Sequence, residues 1–290
     1  MDNHIAHNDI QLATDFRGQR GEFDYEKAFD AFKKKHMRKR HGFALCYLAV
    51  AASITAVFAI FSYRYGRQSV EKIFADITIS VPEGSITKTV LPDGTNVHLN
   101  SCSSITYSQG FGVKNRNVRI SGEACFEVTH NEDIPFIVNS GNLEVTVLGT
   151  VFNFRDYPKD VEAAVSLSEG RVSFRKLSSD DRAVSYLNPG QSLVLDKQNG
   201  RLSVSSNDVA NSMLWIEGTL FFDELMLCDI ARELERAYNV QITIADSKLS
   251  EMRIYGSFMI REQRIEDILD ILSSTNHLHY LKTGSDITIY

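Results

Sequence analysis

The chain has 290 residues, 43% of them hydrophobic and 23% charged, values that exclude a disordered or collagen-like polymer. Its net charge of −6 is unevenly divided: residues 1–41 hold 9 basic against 7 acidic residues, while residues 64–290 hold 22 against 30. So acidic a C-terminal portion has no electrostatic footprint for nucleic acid.

Residues 1–22 are polar and without periodicity, which predicts little fixed structure. From Asp24, a plausible N-cap, the pattern becomes helical: Tyr25, Phe29, Phe32 and His36 fall on one face, and Lys33 to Arg40 crowd the C-terminal end. Gly42 to Tyr63 then runs for 22 residues without a formal charge. At ~1.5 Å per residue such a helix crosses a ~30 Å hydrocarbon core, and its backbone satisfies itself there. A buried soluble helix is the competing reading, but few run so long without a charge. Ser53 and Thr55 can bond back to the preceding turn. Six basic residues before the span and few after it predict residues 1–41 inside the cytoplasm and 64–290 outside. The long leader, the long apolar core and the lack of an A-x-A-like site favour an uncleaved anchor over a signal peptide. Tyr25, Phe29 and Phe32 then lie either in the head groups of the inner leaflet or against a cytoplasmic partner.

After a linker at 64–76, residues 77–207 read as β throughout. Short Val/Ile/Thr/Phe runs are separated by Pro92-Asp93-Gly94, Ser121-Gly122, Glu169-Gly170, Pro189-Gly190 and Asn199-Gly200. This predicts an all-β domain, an antiparallel sandwich or solenoid-like stack. Glu123 and Glu127 share a strand face but lack a cleft, and read as solvent-facing charges. Gly149-Thr150 is either a bulge glycine or a site of N→O acyl shift and self-cleavage. Outside the span, Cys102, Cys125 and Cys228 cannot all pair, and read as unpaired, largely buried thiols; a Cys102–Cys125 bridge is the alternative.

A linker at 208–215 leads to a different organisation over 216–290, a small α+β domain. Residues 218–244 read strand-helix-strand, and 256–282 repeat them at an offset of 38: Leu227 answers to Ile265, Ile230 to Ile268 and Leu234 to Leu272. The last strand holds Ile287, Thr288 and Ile289, and its terminal position predicts an exposed edge for strand addition. His277 and His279 alternate onto one strand face, too few for a metal site.

Read in order, LPDGTNVHLNSCSSITY (91–107), VRISGEACFEV (118–128), PFIV (135–138), LGTVFNF (148–154), EGRVSF (169–174) and LNPGQ (187–191) resemble successive blocks of the FecR periplasmic domain. Residues 216–290 are similar to the C-terminal domain of FecR-like proteins, and more loosely to STN and secretin-type modules. The resemblance implies a single-pass inner-membrane regulator of the anti-sigma type, with its C-terminus in the periplasm. Its implied partners are an ECF sigma factor in the cytoplasm and the signalling domain of a TonB-dependent transporter outside, with no cofactor. It implies no enzyme, apart from processing of some members at the residues matching Gly149 and Thr150. Members usually place several helices before the span, where this chain has one. The alternatives are therefore an anchored scaffold without sigma-factor regulation and, last, an anchored hydrolase.

Overall fold

The computed structural model describes residues 24–73, 75–177, 184–206, 209–276 and 278–290, and their side chains except at 36–49, 64–73 and 276. The chain divides into two compact units, Met1–Ile73 and Phe74–Tyr290.

In the first unit a single helix, α1, spans Tyr25–Ile73. Asp24 starts it: its carboxylate accepts from the Lys27 amide at 3.2 Å, an interaction that lowers its pKa. The expected linker at 64–76 is helical as far as Ile73. Gly66 alone interrupts that stretch, and one glycine costs about 1 kcal/mol, too little to end a helix already propagating. Every described side chain from Val50 to Tyr63 is exposed, and Thr55 bonds back to the Ala51 and Ala52 carbonyls at 3.1 and 2.9 Å. Among the described residues no helix is long and apolar enough to cross a membrane; the side chains of Gly42 to Ala49, which open the expected span, lie outside that description.

The second unit begins with thirteen strands: β1 (Asp76–Ser80), β2 (Thr87–Val90), β3 (Asn96–Leu99), β4 (Ser104–Ser108), β5 (Arg116–Glu127), β6 (Phe136–Asn139), β7 (Leu143–Val147), β8 (Val151–Asp156), β9 (Glu162–Glu169), β10 (Val172–Lys176), β11 (Ser185–Leu187), β12 (Gln191–Asp196) and β13 (Leu202–Ser206). The long strand β5 belongs to two sheets. Its first half lies between β4 and β6 in the order β1-β4-β5-β6-β7-β10-β11, and its second half between β3 and β8 in the order β2-β3-β5-β8-β9-β12-β13. Gly122, expected to make a turn, sits inside this strand at φ 101°, where a Cβ would lie 2.4 Å from Ser103 Oγ. Only glycine allows the strand to bend there and pass from one sheet to the other. Among these strands all pairs are antiparallel except β5–β6. One core draws on both sheets, with Phe126 stacked on Phe152 at 5.1 Å and edge-on to Phe136 at 5.8 Å.

A 3-10 helix (Val209–Glu217) follows, then β14 (Thr219–Met226), α2 (Leu227–Tyr238), β15 (Gln241–Ile244), α3 (Ser247–Ser250), β16 (Arg253–Met259), α4 (Ile265–Asn276), β17 (Tyr280–Thr283) and β18 (Asp286–Ile289). Helices α2 and α4 begin and end 38 residues apart, as the repeat predicts. The leading strands β14 and β16 pair with each other, while β15 and β17 both pair with β18, in the order β15-β18-β17. Thus Ile287, Thr288 and Ile289 lie in a central strand, not at an edge. Ile287 and Ile289 are 1% and 2% exposed, because the closing strand inserts between the trailing strands of the two halves and completes the core. The free edges belong to β15 and β17. Nor are residues 209–215 of the expected linker loose: Val209 and Trp215 of the 3-10 helix are buried, and Phe74–Tyr290 forms one unit.

Candidate functional site

The apolar stripe of α2 turns Leu227, Ile230 and Leu234 into the C-terminal core, so the helical period leaves Arg232, Glu233 and Arg236 for another surface. That surface is the β domain, at the end of β8 and the turn after it. Asp160, only 7% exposed, accepts from Arg236 at 2.8 and 3.3 Å and from Arg155 Nη2 at 2.8 Å, and lies 3.5 Å from Arg232 Nε. Glu233 is equally buried, with its Oε1 2.6 Å from Arg155 Nη1 and 3.3 Å from Arg236 Nη2. The Arg236 guanidinium lies over the Tyr157 ring at 4.0 Å. Behind it, the Gly84 amide donates to the Arg236 carbonyl at 2.8 Å, so the β domain caps a carbonyl in the last turn of α2.

A second layer adjoins this joint. Glu123 accepts from Asn100 Nδ2 and from Asn153 Nδ2, each at 2.8 Å. Asn153 is oriented by Trp215, whose indole N–H donates to its Oδ1 at 3.2 Å. A small cavity of about 170 Å³ lies among Glu123, Arg155, Trp215 and Glu233. Burial raises the Glu123 pKa, with Arg155 opposing and Glu233 reinforcing the shift. Burial acts the same way on Asp160, but the guanidiniums of Arg155 and Arg236 outweigh it and hold that carboxyl below the usual range. The joint is therefore a buried ionic network, costly to leave half-made and dependent on every partner.

From its strand position Glu123 reads as a solvent-facing charge, yet it is 5% exposed, whereas Glu127 on the same strand is exposed and accepts from Asn96 at 3.1 Å. The difference is tertiary: Trp215 of the 3-10 helix and Glu233 of α2 enclose a cavity with Glu123, which Glu127 does not line. Sequence pattern alone does not single out Arg155, Asp160 or Glu233. The available signal is the charged face of α2, with Glu233 and Arg236 at positions where the second repeat has Ile271 and Ser274.

Of the other expected residues, none that is described in the second unit belongs to this joint. Tyr25, Phe29 and Phe32 lie on α1, 77%, 66% and 53% exposed. Gly149 and Thr150 connect β7 to β8. There, a Cβ on Gly149 would meet His130 at 2.6 Å, and the buried Thr150 hydroxyl donates to the Arg171 carbonyl at 3.2 Å. The glycine thus serves close approach between loops and not a bulge within one strand. Cys102, Cys125 and Cys228 are free; Cys125 is buried and pushed up to about 12 by burial, but Cys102, at φ 59°, is exposed. His277 lies outside the described residues, and His279 pairs through its backbone with Tyr290 at 2.9 Å. Among the described residues no group of three or more His, Cys, Asp or Glu could hold a metal.

Fold and joint define the class: a two-module body in which an all-β domain and a repeated α+β domain are fused through buried charges. Two family models match the chain, "FecR protein" over residues 77–173 and "FecR, C-terminal" over residues 219–289. Two crystal structures of a candidate anti-sigma factor from Parabacteroides distasonis ATCC 8503, at 1.65 and 2.50 Å resolution, are similar, each with a TM-score of 0.68 and 31% identity. Each match covers 74% of this chain, and 98% and 99% of theirs. No curated protein matches. This chain belongs to the FecR family of anti-sigma regulators.

Proposed function

We propose that the chain is a single-pass relay in the bacterial inner membrane. Residues 1–41 face the cytoplasm and hold an ECF sigma factor through the Tyr25, Phe29 and Phe32 face. Residues 42–63 span the bilayer, and residues 74–290 read the signalling domain of a TonB-dependent transporter in the periplasm. The observation that carries this reading is the joining of both FecR-family domains to one 49-residue helix whose side chains from Val50 to Tyr63 are all exposed. In water such a stripe is an uncompensated cost; in lipid it is the favoured state.

Reporter fusions test the topology. A reporter active only outside the cytoplasm should work after Tyr290 and be silent after Asp9; the reverse pattern would overturn the reading. The cytoplasmic half is tested by capture of ECF sigma factors on the full-length chain in detergent. Capture should fall when Phe29 and Phe32 are both replaced by aspartate. If the parent chain retains no sigma factor, the relay gives way to an anchored scaffold.

A further inference from the structure

A cleft of about 590 Å³ opens beside the ionic joint. Glu83, Cys102 and Pro158 of the β domain form one wall, and Glu235, Gln241 and Ile242 the other. The second wall contains a free strand edge. Gln241 at the start of β15 and Ala245 just beyond its end turn their amides toward the β18 side, donating to the Ser285 and Ile289 carbonyls at 2.9 and 2.8 Å. By alternation Ile242 and Ile244 turn their N–H and C=O groups outward. The outward Ile242 amide is stoppered by the Glu235 carboxylate, which accepts from it at 2.8 Å. A side chain covering one edge donor is how an exposed edge is kept from pairing indiscriminately.

The charges select an occupant. Arg232 and Arg236 also line the cleft, but they are committed to Asp160, Asp229 and Glu233. Among the described residues Glu83, Glu235 and Lys159 have no ion-pair partner, which leaves two carboxylates against one ammonium. We propose that this cleft binds an extended, cationic peptide segment, which adds as a strand to β15. Its carbonyl takes the Ile242 amide from Glu235, and the released carboxylate pairs with a lysine or arginine of the peptide. The site is independent of the relay reading and of which protein supplies the segment.

The test uses the full-length chain in detergent and three synthetic peptides in which valine alternates with lysine, threonine or glutamate. Binding is read by fluorescence anisotropy, and its place by the alkylation rate of Cys102, which is exposed and lines the cleft. The lysine peptide should bind tightest and protect Cys102 but not Cys228. Its copy N-methylated at alternate amides should not bind. Glu235→Gln keeps an acceptor for Ile242 but no charge, and should weaken the lysine peptide about threefold to fivefold while sparing the threonine peptide. Glu235→Ala removes the stopper and should strengthen the threonine peptide, a gain that a merely structural role would not produce. Equal binding of the lysine and glutamate peptides, binding that survives N-methylation, or binding that leaves Cys102 unprotected would each overturn the proposal.

Discussion

The two halves of the C-terminal domain share one sequence pattern and serve two ends. Helices α2 and α4 bury matching residues: Leu227 and Ile265, Ile230 and Ile268, Leu234 and Leu272. On their other faces they diverge. Where α2 carries Arg232, Glu233 and Arg236 into the ionic joint, α4 carries Asp270, Ile271 and Ser274, all exposed. The repeat therefore builds the domain, and the unrepeated face of its first half attaches that domain to the β sheets. Apolar burial tolerates exchange of similar side chains. A network of paired charges does not, because removal of one partner strands the rest.

The largest effect should come from breaking the unrepeated face. Asp160→Ala removes one of the two buried carboxylates that Arg155 and Arg236 share, leaving them Glu233 alone, and should cost about 3–5 kcal/mol in urea unfolding. It should also expose the 209–217 region to limited proteolysis, which the parent chain, with Val209 and Trp215 buried, should resist. Next come the shared positions. Leu234→Ala and Leu272→Ala should each cost about 2–5 kcal/mol, and a difference beyond about 2 kcal/mol between them would break the equivalence of the halves. Trp215→Phe keeps the ring but leaves the Asn153 oxygen unpaired and buried, which should cost about 1–3 kcal/mol.

A pH effect sharpens the comparison further. With its folded pKa raised by burial, Glu123 contributes fully below about pH 4.3, and that contribution is lost as pH rises through the folded value. Asp160, held low, acts oppositely: its contribution is present above about pH 3.9 and lost as pH falls through the folded value. Melting temperature should therefore decline on the alkaline side of a weakly acidic optimum, and Glu123→Gln should flatten that decline. The smallest effect belongs to Ser274→Ala, at the position matching Arg236. It should stay within about 0.5 kcal/mol, since no network depends on that side chain.

By itself the sequence determined whatever rests on local pattern. The charge-free stretch at 42–63, the strand runs and turns of the β domain, the helix start at Asp24 and the 38-residue repeat all follow from spacing and side-chain type. Each turns on neighbours within a few residues, or on a stripe that must be buried somewhere. Tertiary structure alone decided which faces meet. Gly122 reads as a turn until β5 is seen serving two sheets; Glu123 reads as a surface charge until α2 covers it. The terminal strand reads as an edge until β15 and β17 close on both sides of it. In each case the deciding contact joins residues far apart in the chain, and the alternation that marks a face as polar or apolar carries no record of its partner.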